Sequence, residues 1–168
     1  NSISRLSQVL SDGLDLVITN IWISAYLMGE LSIAQQIPTY ISTLTNTLIN
    51  LFSPNLTMYY AKDDTEAVVK ELKLSMKFSS FFVNIIFCIL VIFGKYFMQL
   101  WVPNQDVNLI YSLLVVIMMS LLVSGVTTSL NNVFLVTNRL KVNSIFWLII
   151  SFTNVLLVFI FLNTTSLG

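Results

Sequence analysis

Gln36, Tyr40, Thr43, Thr47, Asn50, Pro54 and Thr57 follow one another at alternating spacings of four and three residues. At about 100° per residue they fall on one narrow face of a helix that is otherwise largely Ile, Leu and Phe. Hydroxyls, amides and an aromatic ring offer many weak hydrogen-bonding and stacking contacts without a deep binding well. Such a face suits a large, hydroxyl-rich solute or an amphipathic drug better than a compact inorganic ion. Asp12, Asp15, Thr19, Trp22 and Tyr26 share a second face, with the two carboxylates about one turn apart. Ser120, Ser124, Thr127, Asn131 and Asn138 share a third, and Asn143, Trp147 and Asn154 a fourth. The rest of the chemical inventory is lean. There is no histidine, and the one cysteine, Cys88, lies within an apolar run, so neither a metal site nor a disulfide framework can be built. No acid–base pair with metal or histidine support and no phosphate-binding loop is legible. No catalytic residue and no cofactor is therefore expected, and the reading is of a protein that is not an enzyme.

The elements that must position these faces are membrane spans. Of 168 residues, 56% are hydrophobic and only 10% charged, and the mean hydropathy is +0.85, far from the composition of a soluble domain. Net charge is zero, and no basic run has the form of a groove-tracking stripe, so no nucleic acid partner is expected. A hydrocarbon core takes roughly 20 apolar residues per helix. That ruler predicts an all-α bundle of five spans, at about residues 7–28, 32–60, 75–93, 107–136 and 142–162, with no soluble domain. Gly29 and Glu30 form the turn between the first two, Gly29 serving as a hinge, and Pro54 kinks the second as another. The charged stretch Lys62 to Glu66 leads into an amphipathic segment at the membrane surface, ending near Lys77, with Asp64 or Thr65 as its N-cap. Gly94 ends the third span, and Trp101 to Asn104 close a loop before the fourth.

Arg5, Lys62, Lys70, Lys73, Lys77, Arg139 and Lys141 fall on one side of this arrangement and only Lys95 on the other. The N-terminus is thus expected in the cytoplasm. Tyr59 and Tyr60 at one boundary, and Tyr96 and Trp101 at the other, have the character of interfacial anchors. Two readings of the polar face from Gln36 to Thr57 follow. It lines a water-filled pathway, or its Thr and Asn side chains are interhelical glue, at well under ~1 kcal/mol per bond. Asp15, the deeper carboxylate, costs at least ~2.5 kcal/mol near a bilayer centre and persists mainly where it faces protein or water. It is the candidate for a cation- or proton-coupled group, whereas Asp12 snorkels or caps near Arg5. The third span has only Asn84 among its deep polar groups and reads as lipid-facing, and Ile41 in the second reads the same way. Gly125 allows either a close helix approach or a bend. The chain begins with Asn1 and ends in a polar run at Gly168, and reads as a fragment.

Several short motifs carry a resemblance. Asp15-Leu16-Val17-Ile18, Leu27-Met28-Gly29-Glu30-Leu31-Ser32-Ile33-Ala34, Phe52-Ser53-Pro54-Asn55-Leu56 and Tyr60-Ala61-Lys62-Asp63-Asp64-Thr65-Glu66 resemble the second half of bacterial polysaccharide flippases. These are O-antigen and capsule repeat-unit exporters of the multidrug/oligosaccharidyl-lipid/polysaccharide superfamily. Leu100-Trp101-Val102-Pro103 and Asn138-Arg139-Leu140-Lys141-Val142-Asn143 are similar to later segments of the same family. Leu31, where an aromatic is common, and Pro103, where glycine is usual, depart from its pattern. The resemblance implies helices seven to eleven of a two-halved transporter of 12 to 14 helices in the bacterial inner membrane. It implies alternating access driven by an ion gradient or membrane potential, with a lipid-linked oligosaccharide, the bilayer and the remaining half of the transporter as partners. The substrate cavity would then draw on Gln36, Tyr40, Thr43, Thr47, Asn50, Ser124, Thr127, Asn131 and Asn154. A multidrug or cation exporter of the same superfamily is the alternative, with Asp15 at its centre.

Overall fold

The computed structural model describes residues 24–137 and 140–164, and their regular structure is entirely α-helical. Five helices follow in order: α1 (Ala25–Asn50), α2 (Ser53–Ala61), α3 (Thr65–Trp101), α4 (Val107–Val136) and α5 (Leu140–Thr164). The chain divides into two compact units. One comprises residues 33–138 and holds most of α1 together with α2, α3 and α4; the other comprises residues 1–32 and 139–168, including α5. The first predicted span lies almost wholly outside the described residues.

Local chemistry explains where the helices start and stop, and it corrects three expectations. α1 begins where Ser24 Oγ accepts a hydrogen bond from Leu27 N at 3.1 Å, a serine cap on the first turn. The helix then runs straight through Gly29 and Glu30, where a turn is expected. Glycine inside a helix costs only about 1 kcal/mol relative to alanine, and Gly29 keeps a negative φ, so nothing there forces a reversal. Pro54 does not kink a helix reaching Tyr60 either. The helix stops at Asn50, and the amides of Leu51 and Phe52 reach back only three residues, to Leu48 O at 3.2 Å and Ile49 O at 3.1 Å. α2 restarts at Ser53, leaving Pro54 in its first turn, where a missing N–H is harmless.

The third correction concerns α3. A surface segment and a separate span are expected between residues 65 and 93, but Thr65–Trp101 is one helix of 37 residues, about 55 Å long at 1.5 Å per residue. Asp64 caps it as expected, accepting from Ala67 N at 3.0 Å, after Asp63 turns the chain with a φ of 55°. Neither glycine nor proline interrupts the run from Thr65 to Phe93. Gly94 does not end it, because its role is packing: a Cβ there would stand 3.1 Å from Cε2 of Tyr111. The Asp106 carboxylate then accepts from Asn108 N and Leu109 N, both at 3.1 Å, and starts α4.

α3 and α4 pair as an antiparallel hairpin. Ser75, Ser79, Val83, Gly94 and Met98 of α3 are buried, and so are Ile110, Leu114, Met118, Gly125 and Ser129 of α4. Small residues where the first part of α3 meets the last part of α4 let the backbones approach and exchange side-chain hydrogen bonds. Ser79 Oγ donates to Gly125 O at 2.9 Å, and Ser75 Oγ donates to Ser129 Oγ at 3.2 Å. Ala34 and Ile41 of α1 join Met98, Ile110, Leu114 and Met118 in one apolar cluster. α2 lies beside α3, where Asn55 Nδ2 donates to Glu71 Oε1 at 2.9 Å and the Phe52 and Phe78 rings meet at 6.2 Å.

Among the described residues two helices, α3 and the stretch of α4 from Val107 to Phe134, are long and apolar enough to cross a membrane. Little of the apolar surface of either is buried. Phe81, Ile92, Tyr96, Val116 and Val123 stand well exposed on them. Their length and apolarity are those that a membrane-crossing helix needs.

Candidate functional site: the polar face of α1

α1 has two opposite faces. Ala34, Pro38, Ile41, Thr45 and Ile49 are buried, and at 100° per residue they form one stripe. Gln36, Tyr40, Thr43, Thr47 and Asn50 are exposed and centre on a line roughly 180° away. Ile41, expected to face lipid, is only 6% exposed and belongs to the packed stripe. Tyr40, at 68% exposure, stands clear of the bundle.

The threonines of this face are satisfied within their own helix. Thr39 Oγ1 donates to Gln35 O at 2.7 Å, Thr43 Oγ1 to Thr39 O at 2.9 Å and Thr47 Oγ1 to Thr43 O at 2.9 Å. In α4, Ser120 donates to Ile117 O at 2.7 Å, Ser124 to Leu121 O at 3.4 Å and Thr127 to Ser124 O at 3.1 Å. Ser120 and Thr127 are exposed, while Ser124 and Asn131 are half-buried. Among the described residues, none of these stripe hydroxyls bonds to another helix. Their oxygens keep acceptor lone pairs, while the amides of Gln36 and Asn50 and the Tyr40 hydroxyl remain available as donors.

The polar groups that do join helices are different ones: Ser75, Ser79, Ser129 and Asn132, the Asn55–Glu71 pair, and Tyr111, whose hydroxyl donates to Val91 O at 2.7 Å. Asn132 is buried, and its Nδ2 donates to Ile49 O at 3.3 Å, next to the point where α1 stops. Two signals point to this seam in the sequence: Ser75 and Ser79 lie four residues apart, as do Gly125 and Ser129, the small-residue spacing of close helix pairs. Gly125 serves the close approach rather than a bend, since a Cβ there would stand 3.1 Å from Val83 Cγ2. Asn84 is exposed and donates to Ser80 O at 2.8 Å on its own helix.

The remaining candidates are scattered. Pro54 is an exposed residue in the first turn of α2, and Gly29 lies inside α1 with no atom within 4 Å of a Cβ built on it. Asn154 is exposed on α5, in the other unit. Asp12 and Asp15 lie outside the described residues. No family model, no curated protein and no solved structure matches the chain.

Proposed function

We propose that this chain belongs to a multi-pass transporter of the bacterial inner membrane that moves a lipid-linked oligosaccharide from the cytoplasmic to the outer leaflet. The sugar passes along the polar face of α1 while the lipid tail stays in the bilayer. The five predicted spans form part of one helical half, alternating access against the remaining half as in transporters that rock about a central site. The resemblance to polysaccharide flippases motivates this reading.

One observation carries it: the opposition of the two faces of α1. Its packed face accounts for the helix's place in the bundle, so the polar face is not needed for packing within the described unit. An amide moved from water to hydrocarbon without a partner costs roughly 4–8 kcal/mol. Gln36 and Asn50 therefore call for water, a solute or the absent half beside them. Threonines bonded to their own carbonyls leave a surface that is polar but weakly binding, suited to a sliding sugar chain.

The test uses the full-length parent in vesicles. With Cys88 replaced by alanine, single cysteines at Thr43 and Asn50 should react with a membrane-impermeant maleimide much faster than one at Phe81, which is 67% exposed on the apolar side of α3. In the same vesicles, a lipid-linked oligosaccharide should cross the bilayer while a fluorescent cationic drug does not. Equal labelling at all three positions returns the polar face to packing, and movement of the drug alone makes this a drug exporter.

A further inference from the structure

Lys70, Lys73 and Lys77 are exposed on the first turns of α3, and spacings of three and four set them on one side of the helix. The row they begin runs on through Phe81, Ile85 and Ile92, which are 67%, 44% and 63% exposed. A basic segment and an apolar segment thus share one face, end to end. The acids of this region are engaged elsewhere or stand farther from the apolar run. Glu71 accepts from Asn55 on the flank toward α2, Asp64 caps the helix, and Asp63 and Glu66 lie at its outer end.

Helix length sets the depth of the lysines. At about 55 Å, α3 exceeds a hydrocarbon core of about 30 Å by some 25 Å. No charge falls between Lys77 and Lys95, so the surplus lies mostly at the N-terminal end. With Phe78 at the hydrocarbon edge, Lys77 sits at the boundary, Lys73 about 6 Å outside it and Lys70 about 10 Å. Those depths span the headgroup layer, and flexible stems let the ammonium groups reach phosphates within it.

We propose that Lys70, Lys73 and Lys77 form a binding surface for the anionic phospholipid headgroups of the leaflet in which α3 begins. The surface rests on the reading of α3 as a membrane span. It would hold this end of the α3/α4 hairpin at a defined depth, with Ser79 at the edge of the apolar layer and the Ser75–Ser129 contact about 4 Å outside it, in the headgroup layer. A lysine near such a leaflet contributes about 1 kcal/mol, which is roughly a fivefold change in association.

The experiment places the full chain in phosphatidylcholine vesicles and compares its association with spin-labelled phosphatidylglycerol and spin-labelled phosphatidylcholine. The expected result is a preference for the glycerol lipid that falls by up to about fivefold per Lys→Gln change and vanishes in the triple Lys70→Gln, Lys73→Gln, Lys77→Gln variant. It should survive in the triple Lys→Arg variant and in Lys95→Gln, and collapse in about 1 M salt, where the screening length is ~3 Å. An unchanged preference in the triple Gln variant overturns the proposal. If that variant does not insert, a wild-type preference indifferent to salt overturns it instead. Release of the wild-type chain by alkaline carbonate refutes the span reading and the lipid surface together, whereas retention without headgroup preference refutes the lipid surface alone.

Discussion

A methyl group on Gly125 probes the α3/α4 seam at its tightest point. The added carbon would stand 3.1 Å from Val83 Cγ2 and 3.7 Å from Val83 Cβ, a few tenths of an ångström inside ordinary contact. Val83 is buried at 1% exposure, and a β-branched side chain in a helix has one strongly preferred rotamer, so it cannot swing aside. The helices must part instead, which also stretches the 2.9 Å bond from Ser79 Oγ to Gly125 O. Overpacking of this kind costs about 1–3 kcal/mol, and a lost bond between membrane helices adds about 0.6 kcal/mol. Alanine also favours the helix over glycine by about 1 kcal/mol, which would mask part of the loss. Gly29→Ala supplies the reference, because a Cβ there meets nothing within 4 Å and registers the helix preference alone. Unfolding of the full chain in detergent micelles by added dodecyl sulfate, followed by circular dichroism, should place Gly125→Ala about 2–3 kcal/mol below Gly29→Ala. Val83→Ala should restore at least about 1 kcal/mol of that difference in the double variant. Equal stabilities for the two glycine variants, or additive effects of Gly125→Ala and Val83→Ala, would refute the close approach.

Two further substitutions separate the other contacts. Asn132→Leu removes the buried bond to Ile49 O and should lower stability by about 0.5–1.5 kcal/mol while speeding hydrogen exchange at Leu51 and Phe52, where α1 gives way to α2; unchanged exchange there means that Asn132 does not brace the break. Asp64→Ala removes the cap of α3 and should cost about 1 kcal/mol, with faster exchange confined to Ala67 and its neighbours, and a loss of protection reaching Ser75 would show that the first turns of α3 are not an independent extension of the span.

Much of the helical punctuation was legible because it is local chemistry. The bounds 107–136 for α4 follow from the loop at Trp101 to Asn104 and the apolar run after it, whereas the Asp106 cap emerged only in the structure. α5 ends within two residues of expectation at both ends, and Asp64 caps α3. Gly29 and Gly94 misled because glycine marks a stop only where the chain needs a left-handed φ, which neither adopts. Gly94 makes room for the Tyr111 ring, and α3 simply continues. Pro54 was legible as a disruption, but not as the first turn of a new helix, because that depended on α1 stopping at Asn50.

By itself the sequence determined the polar stripes of α1 and α4, since a period of 3.6 residues sorts side chains onto faces without any partner. It therefore separated the polar face of α1 from its opposite side. Only the tertiary structure decided which apolar residues touch protein. Ile41 is packed and Phe81 is not, yet both are large and hydrophobic. Along helices as apolar as α3 and α4, hydrophobicity does not distinguish inside from outside, so packing is selected by shape and by small residues. The serines at 75, 79 and 129 and the glycine at 125 make the α3/α4 seam because they let two backbones meet, a property that exists only once the second helix is there.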